Sequence, residues 1–306
     1  MTMTREESLV LSAYIGEVIA QGAPRIVLSP KELDEAKKGF SREKLAELTN
    51  RGLYHGDFEL FYTLLRFCDG LGLWSKADGD YLRLLFSSAK KHDGASFREN
   101  PYLKTLDIRE RRLGRFLLTE ASYAKGEIFQ YDMPPLDGDL VVPRLGFFTE
   151  EVRFPAVYED NMPWVSICPS EINTMTTDAV HARGRVLILG LGLGYYPFLI
   201  SEKKEVKTIT IVEKSQEIIR LFQEELLPQF PHKEKIRIVE ADAFRFLEET
   251  EPWEFDFCYA DIWEGWEDGA IAYEKILPYE KRLYETQFCY WIEKEIQWFR
   301  KESISP

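Results

Sequence analysis

Three glycines at alternate positions, Gly190, Gly192 and Gly194, follow the apolar run Val186 to Leu189 in the stretch RVLILGLGLGYY. Glycine lets a backbone turn tightly or come close to another group. Glu213 lies 23 residues beyond Gly190, at the end of a second apolar segment, VKTITIVE. That interval is close to the roughly 20 residues between a glycine turn and a ribose-holding acid in nucleotide-binding βαβ units. A carboxylate suits this task because it accepts short, charge-assisted hydrogen bonds from both ribose hydroxyls. Asp242 in EADAF and Asp261 in FDFCYAD end two further segments of the same kind. The pattern is G-x-G-x-G; in the G-x-G-x-x-G of dinucleotide sites the last glycine would stand at Tyr195. Three acids at strand ends suit a cationic ligand better than a pyrophosphate.

The elements that must position these residues alternate regularly. RVLILG, VKTITIVE, KIRIVEAD and FDFCYAD read as strands, separated by helices over YYPFLISEKK, SQEIIRLFQEELL and AFRFLEE. Such alternation predicts βαβ units and a parallel sheet, with the ligand beyond the carboxyl ends of the strands. A helix over PSEINTMTTDAVHARG, capped by Ser170 and stopped by Gly184, leads into the first strand. The segments after Asp261, AIAYEKILPYEKRLYE and QFCYWIEKEIQWFRK, read mainly as helices, so the sheet is either short or completed from residues 126–165.

In that order and spacing, the glycine turn, Glu213, EADAF and FDFCYAD resemble the motifs of class I S-adenosylmethionine-dependent methyltransferases over about residues 165–265. The chain looks most like the spermidine-synthase-like branch, because Ile188 stands where many methyltransferases carry an acid. The resemblance implies an α/β, Rossmann-like domain and S-adenosyl-L-methionine as cofactor. The loop from Gly190 through Gly192 to Gly194 would pass its methionyl part. Glu213 would hold the ribose, and Asp242 with the Ala243 backbone would bind the adenine edge. Spermidine synthases carry D-x-x-D-P after the fourth strand; here the residues are Asp261-Ile262-Trp263-Glu264-Gly265. Glu264 therefore stands for the second acid and the proline is missing. Leu193 replaces an acid usual in their glycine loop.

Asp261 and Glu264 are the candidate catalytic groups, able to orient a nucleophile or take its proton. Tyr195 and Trp263 are the candidate substrate contacts, through the start of a helix and through ring stacking. Asp242 also fits the N-cap of the helix AFRFLEE. The histidines His55, His92, His181 and His232 have no metal-ligand spacing and read as surface residues, so no metal site is expected. The expected activity is methyl transfer to a small molecule or a protein side chain. Aminopropyl transfer is the alternative, and a non-catalytic cofactor-binding protein is the third reading.

Residues 1–125 read as a helical domain. Ser29, Pro30 and Glu32 make a capping box, and Ser41, Asp57 and Asp78 open further helices. Residues 126–168, rich in proline, aromatics and β-branched residues, read as a β-rich connector, and 169–306 as the cofactor-binding domain. The helical domain is expected to flank the cleft and select the acceptor.

Of the 306 residues, 39 are Lys or Arg and 52 are Asp or Glu. Residues 1–125 hold 20 of the basic and 18 of the acidic ones, so the rest of the chain carries −15. That field repels a phosphate backbone, and nucleic acid is not the expected partner. The cluster Arg109, Arg111, Arg112 and Arg115 has helical spacing and reads as a solvated helix face. Four scattered cysteines suit reduced thiols, the opening segment is too polar for a signal peptide, and no run is long enough to span a membrane. A cytoplasmic protein is expected, with its oligomeric state unspecified.

Overall fold

The computed structural model describes residues 2–22 and 25–304. The chain forms two compact units, one of residues 1–98 with 122–153, the other of residues 99–121 with 154–306. The boundaries expected at 125 and 168 therefore do not hold. The span 1–125 is also not purely helical, because Lys90–His92, Arg111–Leu113 and Phe116–Tyr123 are strands.

In the first unit, short polar caps set the helices. The Ser29 hydroxyl accepts from the Glu32 amide, and the Glu32 carboxylate returns a bond to the Ser29 amide, at the start of Pro30–Lys38. Ser41, Asp57 and Asp78 cap the helices Arg42–Asn50, Phe58–Leu71 and Gly79–Ser88. Gly72, at φ +63°, ends the long apolar helix where an L side chain would be strained. These helices share one core with Ile128, Leu145 and Phe147. A three-stranded sheet completes the unit, ordered Lys90–His92, Arg144–Phe148, Phe129–Asp132.

His92 is not a surface residue. Its ring sits among Phe129, Tyr131 and Phe148 at centroid distances of 5.4, 5.0 and 5.5 Å. Gly146 makes the room, since a Cβ there would stand 2.6 Å from the imidazole.

The second unit holds a five-stranded parallel sheet. Its order is Ile236–Glu240, Val206–Glu213, Gly184–Leu189, Phe257–Ala260, Gln287–Tyr290. With helices between successive strands, this is a mixed α/β, Rossmann-like arrangement. The outer strand Gln287–Tyr290 corrects the helical reading of QFCYW. Its register against Phe257–Ala260 completes the sheet from the end of the chain rather than from residues 126–165. Four residues of strand before a helix give too few alternations to show a period of two.

A second sheet runs Arg111–Leu113, Phe116–Tyr123, Val152–Glu159, Met162–Ser166. Arg111, Arg112 and Arg115 thus lie on a β-hairpin turned by Gly114 at φ +58°, and Arg109 just before it, not on a helix. Arg111 pairs with Glu224 and Glu225, Arg115 with Glu159 at 2.8 Å, and Arg109 with Asp107 at 3.4 Å. The helix Pro169–Ala179 is preceded by Cys168 rather than capped by Ser170. Among the described residues no helix is long and apolar enough to cross a membrane.

Burial, with Lys90 nearby, pushes the His92 pKa down from its ordinary 6.5 to about 4. Between those values the unfolded chain binds a proton that the folded unit does not, so stability falls as pH drops through that window. His92→Phe is expected to remove this component. Denaturant midpoints at about pH 7 and about pH 4.5 should differ less in the variant than in the parent; an equal difference contradicts the assignment.

Candidate functional site

A cleft of about 660 Å³ opens at the carboxyl edge of the parallel sheet, within the second unit. That volume is in the range that takes a nucleoside-sized ligand. Gly192, Glu213, Asp242, Ala243, Asp261, Trp263 and Glu264 all line it. Gly190, Gly194 and Tyr195 do not line it, and each has another task.

The three glycines are required for different reasons. Gly190 has φ +96°, and a Cβ there would lie 1.9 Å from the Asp261 carbonyl oxygen. Gly194 has φ +75°, and its Cβ would lie 2.2 Å from the Phe222 ring. These two let the first strand meet its neighbours closely. Gly192, at φ +52°, meets only Val165 at 3.7 Å, so its missing side chain leaves open space beside the cleft. Tyr195 is buried against Tyr102, and its hydroxyl takes a 3.0 Å bond from the Asn100 amide. The expectation that Tyr195 contacts substrate does not fit that position. The Tyr102 hydroxyl donates to the Leu193 carbonyl at 2.5 Å and so pins the turn from below.

Glu213 is 8% exposed and ties the turn to the next strand. One carboxylate oxygen accepts from the Leu191 amide at 3.2 Å and the other from the Ser215 amide at 2.8 Å. A carboxylate has about four acceptor sites, so capacity remains for two hydroxyls. Asp242 caps Ala243–Glu249 with a single oxygen, Oδ1, which accepts from the Phe244 and Arg245 amides at 3.0 and 3.1 Å. Capping therefore leaves its second oxygen available to the cleft.

Asp261 stands just past the fourth strand in sequence, its amide bonded to the Leu189 carbonyl at 2.9 Å. Burial, with Glu171 and Asp178 nearby, holds its carboxyl well above the usual carboxylate range. Glu264 is different: it is exposed at the rim. Its amide and that of Gly265 donate to Asp268 at 2.8 and 2.9 Å, which fixes the loop. Trp263 is 7% exposed and lies nearly parallel to Tyr290, with centroids 6.5 Å apart. Its indole N–H has no acceptor among the described residues.

Several lining residues escape sequence reasoning: Glu171, Trp164, Trp291, Lys214 and Asp268. Glu171 lies in the first turn of Pro169–Ala179, and burial pushes its pKa up to about 7. Asp178, on the same helix, is also raised to about 7 by burial, despite a 3.4 Å bond from the Tyr259 hydroxyl. The spacing Glu171, Thr174, Met175, Asp178 is the one available signal, since it sets two acids on a helix face with a buried methionine. Trp291 is held by its indole N–H, which donates to the Thr174 hydroxyl at 3.0 Å. Six carboxyl side chains and three tryptophans thus line the cleft, against the single lysine Lys214. The arrangement favours cations, by charge and by aromatic faces.

No protein-family model matches the chain, and no curated protein matches it. Among solved structures, the spermidine synthase of Thermotoga maritima matches with a TM-score of 0.36 and 14% identity. The match covers 65% of this chain and 63% of that one, which is less than two thirds of its length.

The glycines give a direct test. Gly190→Ala combines a left-handed backbone with a clash against a carbonyl held in the sheet, and is expected to cost more than about 4 kcal/mol. Gly192→Ala meets no clash and should cost about 1 to 2 kcal/mol from its backbone alone. Chemical denaturation of both variants checks the order, and equal losses contradict it.

Proposed function

We propose that the protein is an S-adenosylmethionine-dependent methyltransferase whose acceptor is a basic nitrogen on a small molecule or protein side chain. The observation that carries this reading is Glu213. It is a nearly buried acid at the end of the second strand, bonded to the glycine turn and facing a nucleoside-sized cleft. Its remaining acceptor sites suit a ribose, the free oxygen of Asp242 and the Ala243 backbone suit an adenine edge, and the open space at Gly192 suits the methionyl chain. The acidic lining suits a sulfonium and disfavours the pyrophosphate of a dinucleotide.

S-adenosylmethionine supplies an already activated methyl group when bound. What the chain must add is alignment, exclusion of water and a place for the acceptor's proton. Trp164, Trp263 and Trp291 give the cleft apolar faces, and Asp261 adds a carboxyl group to the same lining. Aminopropyl transfer is the second reading, favoured by Asp261 and Glu264 lining the same cleft three residues apart. Incubation with decarboxylated S-adenosylmethionine and 1,4-diaminobutane separates the two, since turnover there selects aminopropyl transfer.

Calorimetry is expected to show binding of S-adenosylmethionine and S-adenosylhomocysteine, and none of NAD. Glu213→Gln should weaken cofactor binding by about 1.5 to 3 kcal/mol, the loss of a charged hydrogen-bond partner. Binding of NAD alone would overturn the assignment.

A further inference from the structure

Two carboxyl groups meet the cleft without a protein partner. Among the described residues, no hydrogen-bond donor or ion-pair cation holds the side chain of Asp261 or of Glu171, yet both line the cleft. Groups in that position are costly unless a ligand compensates them.

The two acids differ in how they are held. Asp261 has a short side chain, and its backbone is fixed on both sides: its amide bonds Leu189, and its carbonyl abuts Gly190. Glu171 has a longer side chain and belongs to a separate element, the helix Pro169–Ala179. Glu264, the acid expected from sequence to act with Asp261, sits exposed at the rim.

We propose that Glu171 is the residue that exchanges a proton with the acceptor nitrogen, while Asp261 is the fixed anchor beside it. This rests on the reading of the cleft as a methyl-transfer site. The step is a plain proton transfer: an N–H bond of the ammonium breaks, its electron pair stays on nitrogen as the nucleophilic lone pair, and an O–H bond forms on Glu171. A base matched to neutral pH performs this best, and burial pushes the Glu171 pKa up to about 7.

The ionisable groups around it come from every neighbouring element. Asp178 shares its helix, Asp261, Glu264 and Asp268 follow the fourth strand, Glu213 and Lys214 end the second, and Asp242 follows the third. Burial favours the protonated form of Glu171 in the empty cleft, and an arriving cation reverses that preference.

The test uses the full chain saturated with S-adenosylhomocysteine, with n-butylammonium chloride as the probe. Probe affinity in the parent should rise with pH, by up to about tenfold per unit below the transition. Calorimetry in buffers of different ionisation heat should show protons released on binding. Glu171→Gln, nearly the same shape, should bind S-adenosylhomocysteine within about twofold of the parent yet show a shallower pH slope and release fewer protons, those that remain coming from Asp261. Asp261→Asn should lose probe binding. A Glu171→Gln variant that keeps the parental slope overturns the assignment, as does a parent that binds S-adenosylhomocysteine but not the probe. Failure of the parent to bind S-adenosylhomocysteine overturns instead the methyl-transfer reading, and the assignment with it.

Discussion

The bonds from the Leu191 and Ser215 amides to the Glu213 carboxylate are the interaction on which the site depends. A glycine turn left to itself has many conformations, and ordering it costs entropy. Here one nearly buried acid satisfies an amide from the turn and another from the loop after the next strand. Each amide loses its bond to water on folding and regains one from a charged acceptor, so the turn is fixed before any ligand arrives. Pre-ordering of this kind lowers the cost of binding. Tyr102 adds a second constraint at Leu193.

The rest of the cleft follows from placing acids at different depths, from the exposed Asp242 and Glu264 to the buried Glu213. Glu213 is compensated by amides, and Asp242 is partly compensated by the helix it caps. Asp261 and Glu171 have no such partner, and burial therefore favours their neutral forms. One edge of one sheet thus carries carboxyl groups of two kinds: some spent on shaping the backbone, others held in reserve for a ligand. The tryptophans reinforce the distinction by limiting solvent without offering acceptors.

How much of this was legible in the sequence depended on the range of the signal. The caps at Ser29, Ser41, Asp57 and Asp78 are local, and each lies where the residues placed it. The strands Gly184–Leu189, Val206–Glu213, Ile236–Glu240 and Phe257–Ala260 were legible because apolar runs alternating with helices predict βαβ units and a parallel sheet. The strand Gln287–Tyr290 was hidden because it runs straight into the helix Glu293–Ile304, and the Arg111 hairpin by arginines whose partners, Glu224 and Glu225, lie more than a hundred residues away. Glu213, Asp242 and Asp261 were legible because they stand at strand ends. Glu171 was not, because nothing in a helix sequence tells which face another segment will cover. Tyr195 was misplaced for a similar reason: the residue after a glycine turn can face outward or inward, and only the ring of Tyr102 decides.

The close approach of Gly190 to the Asp261 carbonyl makes the glycine turn and Asp261 a single mechanical part. A shift of either strand end is transmitted to the other without a compliant side chain between them. The span from the turn to Asp261 is therefore inherited with the sheet and is not open to gradual adjustment. Divergence in the shape of the cleft has to come from the pieces that are not welded to that joint, the helix bearing Glu171 and the strand bearing Trp164. A lineage of such proteins would keep its sheet edge almost unchanged while its preferences drifted through those two walls.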